Sequence, residues 1–162
     1  KNEKIIKAWE LNERHYGELT GLNKDDMKKK YGEDKIFKFR RSWDISPGPL
    51  SKDNPYHALN IDAYSDIPRD KIPDTESLKN TYDRVVKYYS ENIKNNLDKN
   101  ILVAAHGNSI RALCKHLFDL DNEAISKLEI PTGNPLLITL DNDTVKEAKY
   151  LDSSRAKDLI KF

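Results

Sequence analysis

The segment ILVAAHGNSIRAL, residues 101–113, constrains the fold of this chain more than any other. Small and apolar residues run straight into His106, Gly107 and Asn108, and there the pattern changes. ILVAA is short, apolar and β-branched at Ile101 and Val103, which predicts a buried strand. Ile110, Leu113, Cys114 and Leu117 then recur at spacings of three and four, which predicts an amphipathic helix. A strand that feeds a helix belongs to an α/β fold. Ligands in such sheets gather at the carboxyl ends of the strands, and His106 stands at one. The N–H groups that open the helix suit an anion. Two readings of His106, Gly107 and Asn108 stay open: a histidine that donates to a phosphoryl oxygen, or one satisfied by backbone at a strand end.

The rest of the chain follows the same grammar. KIIKAW reads as the end of a strand. NKDDMKKKYG reads as a short helix capped by Asn23, with Asp25 and Asp26 at its positive end, Lys28 to Lys30 at the other, and Gly32 as its stop. EDKIFKFRRSW reads as a second helix with Ile36, Phe37 and Phe39 as its apolar contacts. Asp44 to Asp74 is rich in Pro, Asp and Ser and has no period, so it is a binding loop or lid, or else a solvated linker. Leu78, Tyr82, Val85, Tyr89, Ile93 and Leu97 make one long helical stripe, capped by Asp74 or Thr75. DNEAISKLEI is a further short helix. PLLITLDNDTVKEAKYLD reads as a hairpin turning at Asn142 and Asp143.

Composition narrows the function classes. Lys and Arg total 28 against 27 Asp and Glu, so no global field draws the chain to nucleic acid or to an anionic membrane. Any anion must meet a local cluster. No apolar run approaches the ~18 residues of a transmembrane helix, and no apolar h-region marks a signal peptide. One cysteine, Cys114, cannot form an internal disulfide, which fits a reducing, cytoplasmic setting. His15, His57, His106 and His116 form no metal-ligand motif, so no metal is expected. The apolar share is 37% and the charged share 34%, poor in core formers beside typical values of about 45–50% and about 25%.

Two further clusters carry chemistry. LNERHYG, residues 11–17, sets Glu13, Arg14, His15 and Tyr16 side by side. A glutamate can exchange a proton, an arginine can clamp an oxyanion with both forks, and a tyrosine can bond a phosphate. The alternative is a charged surface loop. Arg40 and Arg41 in FRRSW cannot share one helix face, so one can reach inward while the other stays at the rim, or both can converge at the helix end. Lys24 alone carries no signal.

In combination these stretches are specific. WELNERHYGELTGLNK, FRRSWDISPGPL, PDTESL, VAAHGNSIRAL and IPTGNP, in that order, closely resemble the 2,3-bisphosphoglycerate-dependent phosphoglycerate mutases of the histidine phosphatase superfamily, from about Trp9 to about Asp152. The resemblance implies a three-layer α/β/α sandwich, here missing its N-terminal strand and helices. Residues 1–152 would be the C-terminal portion of one catalytic domain and 153–162 a tail. It implies Glu13 as general acid and base, and His106 as stabiliser of the transferring phosphoryl group. Arg14, His15, Tyr16, Lys24, Arg40, Arg41, Gly107 and Asn108 would bind substrate. The implied reaction interconverts 3- and 2-phosphoglycerate through a phosphohistidine, primed by 2,3-bisphosphoglycerate, without metal. The partners would be small phosphoglycerates in a cytoplasmic homodimer or homotetramer.

Three features depart from the family, one of them a tail shorter than many family tails. Its nucleophile lies in an RHG triplet, and these 162 residues hold none, so the nucleophile is expected upstream and the segment alone is expected to be inactive. Gly48 stands where the family usually has proline. Bisphosphoglycerate synthase or phosphatase activity, and a catalytically dead phosphoglycerate-binding module, are the competing readings.

Overall fold

The computed structural model describes residues 5–156. Among the described residues, five α-helices and one hairpin give the α/β character. Helix α1 spans Lys24–Tyr31, α2 Glu33–Arg41, α3 Leu78–Tyr88, α4 Gly107–Leu117 and α5 Asn122–Lys127. Strands β1 (Leu136–Asp141) and β2 (Thr144–Tyr150) pair antiparallel, with a register shift between Thr139 and Leu140. Asn142 and Asp143 turn the hairpin with φ of 47° and 67°, the left-handed pair that such a turn requires.

The main core lies between α3 and α4. Leu78, Val85, Ala112, Cys114, Ile125 and Leu128 are buried together, and Leu11, Trp43 and Tyr82 pack against them. A second cluster of Leu19, Ile36 and Phe39 joins α2 to the segment that carries Tyr16. The cap of α1 is as expected, with Asn23 Oδ1 accepting from the Asp25 N–H at 2.8 Å. Gly32 ends that helix at φ 80°.

Several expectations are corrected. ILVAA is not a buried strand: among the described residues no strand pairs with it, and Leu102 is 91% exposed. A strand exists by virtue of its partner, and residues 101–105 have no ladder here. Residues 5–8 of KIIKAW carry no strand either, and a 3₁₀ turn follows at Trp9–Leu11; Lys4 is outside the described residues. Phe37 is exposed, since it points about 100° around the helix from Ile36.

The long stripe is α-helical only to Tyr88, then widens into a π turn over Tyr89–Ile93 and a 3₁₀ turn over Lys94–Asn96. Its cap is neither Asp74 nor Thr75. Ser77 accepts from the Asn80 N–H, and Asn80 Oδ1 accepts from the Ser77 N–H, a reciprocal box. Helix α4 buries Asn108, Ser109, Arg111, Ala112 and Cys114, while Ile110 and Leu113 are only half-buried.

Core truncation tests this packing. Leu78→Ala removes a fully buried side chain from the α3–α4 core and is expected to cost about 2–5 kcal/mol in urea denaturation. Leu102→Ala, at an exposed position, is expected to stay within about 0.5 kcal/mol of the parent.

Candidate functional site

The segment Glu10–Tyr16 has little regular structure of its own, so something must hold it. Arg84 on α3 does so. Its Nε and Nη2 grip both oxygens of Glu76 at 2.7 and 2.9 Å, a bidentate pair that is largely buried on both sides. Its Nη1 also donates to the carbonyls of Glu10 at 2.5 Å and Asn12 at 2.9 Å, and Nη2 to that of Glu13 at 3.2 Å. Glu76 accepts from the His15 N–H at 2.9 Å and donates its own N–H to the His15 carbonyl at 2.8 Å. Ser109 Oγ adds a bond to the Asn12 carbonyl at 2.6 Å. The segment is thereby pinned to the starts of α3 and α4. Gly17 follows at φ 55°, where a Cβ would lie 2.1 Å from the Gly48 carbonyl oxygen, so only glycine fits.

Pinned in this way, the side chains converge. Asn108 Nδ2 donates to Glu13 Oε1 at 2.9 Å and to Tyr16 Oη at 2.8 Å. Its Oδ1 accepts from Arg111 Nη1 at 2.9 Å, and Arg111 Nη2 donates to the Ile125 carbonyl at 2.5 Å. A donor at Arg111 and a carboxylate at Glu13 leave the Asn108 amide one orientation that satisfies both. Glu13 Oε1 also accepts from the Arg14 N–H at 2.7 Å.

Arg14 is 2% exposed, donates through Nη2 to the Phe39 carbonyl and lies over the Tyr16 ring at 4.7 Å. Its Nε and Nη1 are buried without a hydrogen-bond partner. Burial, resisted by Tyr16 and Glu13, lowers its pKa. Burial likewise lowers the pKa of His15. Burial, then the nearby Arg41 and Arg14, brings Arg111 down to about 10.

These groups edge a cavity of 610 Å³. Glu13, Arg14, His15, Tyr16, Arg40 and His106 line it. Glu13 and His106, 93 positions apart in sequence, therefore share one space. His106 caps α4 without bonding the helix through its ring, and is exposed to the cavity. Asn108 reaches the cavity through Glu13 and Tyr16, whereas Gly107 is exposed and outside its lining. Arg41 is turned away from it toward Glu129. Lys24 opens α1, but its side chain is outside the described residues.

Four residues that sequence reasoning missed matter here: Arg84, Glu76, Arg111 and His57. His57 is 1% exposed and lines the cavity. Its Nδ1 accepts from the Leu59 N–H at 3.1 Å, which leaves the proton on Nε2 to meet Asp74 Oδ1 at 3.0 Å. Together with the Leu50 N–H bond to the Asp74 carbonyl, this ties the 50–61 loop across the cavity. A signal existed for Arg111, which stands three residues after Asn108 and so on the same helix face. Nothing in the sequence pairs Arg84 with the 10–13 carbonyls. Among the described residues, no group of three or more His, Cys, Asp or Glu comes together to hold a metal ion, and no helix is long and apolar enough to cross a membrane.

Comparison with known proteins shows the family. Residues 54–152 match the family described as the histidine phosphatase superfamily (branch 1). The chain is 68% identical over 160 residues to the 2,3-bisphosphoglycerate-dependent phosphoglycerate mutase of Pelagibacter ubique (strain HTCC1062), an alignment covering 97% of this chain and 67% of that protein. Proteins of the same name from Maricaulis maris (strain MCS10) and Hyphomonas neptunium (strain ATCC 15444) are 49% and 50% identical over 159 and 158 residues, each covering 96% of this chain and 65% of the relative. The chain spans about two thirds of the length of these curated relatives.

The Arg84 clamp has a testable signature. Arg84→Met leaves Glu76 buried and unpaired and is expected to cost about 3–5 kcal/mol. For a simple buried ion pair, the double variant Glu76→Leu/Arg84→Leu would recover most of that loss. It is expected to recover little here, because three backbone carbonyls lose their donor as well. Recovery to within about 1 kcal/mol of the parent in urea denaturation would reduce the clamp to an ion pair.

Proposed function

We propose, given that this chain belongs to the histidine phosphatase superfamily and within it to the 2,3-bisphosphoglycerate-dependent phosphoglycerate mutases, that its residues serve the interconversion of 3- and 2-phosphoglycerate. The observation that carries this reading is Arg14. A buried guanidinium with two unpartnered nitrogens, on a residue that lines the cavity, is costly unless an anion arrives to accept from it. A phosphate or carboxylate oxygen is an acceptor suited to such a charged N–H.

Glu13 is the proposed general acid and base, exchanging a proton with the substrate hydroxyl. The Asn108 amide and the Arg14 N–H fix its carboxylate in place, which is the positioning that proton transfer requires. Arg14, His15 and Tyr16 bind the substrate, and Lys24, Arg40 and Arg41 hold its phosphate and carboxylate ends. His106 stabilises the phosphoryl group in transfer, and Gly107 with Asn108 completes that pocket. A loose phosphoryl transition state calls for charge and positioning, and this cavity is rich in both.

Bound 2,3-bisphosphoglycerate supplies the phosphoryl group that primes the enzyme, and the cationic side chains named above would hold it. The nucleophilic histidine comes from outside these residues, which contain no RHG triplet. Residues 1–152 then form the C-terminal portion of one catalytic domain and 153–162 its tail, in a cytoplasmic homodimer or homotetramer acting on small phosphoglycerates without metal.

Isothermal titration of 3-phosphoglycerate into the 162-residue chain tests the binding half of this proposal. Saturable binding is expected, weakened about tenfold or more by Arg14→Lys, which keeps the charge but not the planar set of N–H donors. Addition of 2,3-bisphosphoglycerate is expected to give these residues alone no mutase turnover. Full turnover would contradict the external nucleophile.

A further inference from the structure

Arg40 and Arg41 are neighbours at the end of α2, yet they part company. Arg40 lines the cavity, whereas Arg41 Nη2 donates to Glu129 Oε1 in the segment after α5. Glu129 is 61% exposed at its side chain and Arg41 26%. Arg41 is nevertheless close enough to Arg111 to depress its proton affinity, and Arg14 adds to the effect while Glu129 opposes it. Arg14, Arg41 and Arg111 therefore form one cationic group beside Tyr16 and Asn108, with Glu129 answering them at the rim. The other two carboxylates close to that group are engaged elsewhere, Glu13 by Asn108 and Glu76 by Arg84.

We infer that Glu129 is an internal competitor for the ligand, holding Arg41 away from the cavity until an anionic group of the phosphoglycerate displaces it. This rests on the reading of the cavity as a phosphoglycerate site. The physical case is that Arg41 has two alternative anchors and that a ligand shifts such an equilibrium only through its differential interaction with the two. An exposed ion pair biases an equilibrium by no more than about fivefold, so the contact is weak enough to give way. A phosphate dianion meeting several guanidinium groups has the stronger claim on the arginine than a lone, solvated carboxylate. Glu129 thus sets ligand affinity without touching the ligand. It lowers the fraction of chains whose Arg41 is free to bind, and with it the apparent affinity.

Four proteins titrated with 3-phosphoglycerate test this: the parent chain, Glu129→Gln, Arg41→Met and the double variant. Removal of a merely structural contact leaves affinity unchanged or lowers it. Here Glu129→Gln is expected to bind roughly two- to fivefold tighter than the parent. Arg41→Met is expected to bind more weakly, and the double variant no tighter than Arg41→Met. Parent-like or weaker binding by Glu129→Gln, with Arg41→Met still impaired, overturns the inference and leaves the cavity reading standing. An equal gain from Glu129→Gln in the Arg41→Met background also overturns it, since Glu129 would then act through charge alone. No uptake of 3-phosphoglycerate by the parent, or parent-like binding by Arg41→Met, removes Arg41 as a ligand arm and the inference with it.

Discussion

Arg84 directs all three of its guanidinium nitrogens at one task. Two grip Glu76, and the same group caps the carbonyls of Glu10, Asn12 and Glu13. The segment 10–16 makes few regular backbone bonds of its own, so these contacts determine where Glu13 and Tyr16 stand. Because Arg84 sits on α3 and α3 packs against α4, the clamp also fixes the distance from Glu13 to His106 and Asn108. The apolar core sets the spacing of the two helices, and one buried ion pair converts that spacing into a site.

The site is electrostatic in character although the chain as a whole is close to neutral, at a formal +1. Arg14, Arg40, Arg41 and Arg111 are near enough for their charges to influence one another. Such crowding is unfavourable without an anion, and the protein meets the cost in three ways. Arg111 is bonded to Asn108 and Ile125, Arg41 is bonded to Glu129, and the third is deferred to a ligand, because Arg14, a residue that lines the cavity, is left with two buried nitrogens unpartnered. Asn108 is the joint of the arrangement: Arg111 sets its amide, and its amide sets Glu13 and Tyr16. Positioning of Glu13 thus passes from a buried cation through a neutral amide.

Local rules were legible in the sequence where local chemistry decides. Asn23 and Gly32 mark the ends of α1 because capping and left-handed geometry involve only adjacent residues. Asn142 and Asp143 mark the hairpin turn for the same reason. The joint at His106 starts a helix as its residues imply, but the ILVAA run before it is exposed and unpaired, because burial of a strand depends on distant partners that periodicity cannot supply. Family resemblance singled out Glu13, Arg14, Tyr16, Arg40 and His106, and these do share one cavity. It gave no sign that Arg41 would turn toward Glu129, or that His57 would strap the 50–61 loop to Asp74, since each depends on a contact between residues far apart in the chain.

The central claim is that one cationic cavity, assembled by the Arg84 clamp between Glu13 and His106, receives a phosphoglycerate. Side-chain chemical shifts of the ¹⁵N-labelled chain, followed while 3-phosphoglycerate is added, test it most directly. The account predicts saturable shifts at the Arg14 Nε–H, the Asn108 amide and the His106 ring, with the β1–β2 hairpin unmoved. Shifts confined to exposed lysines, or none at Arg14 at concentrations that saturate binding, would contradict it.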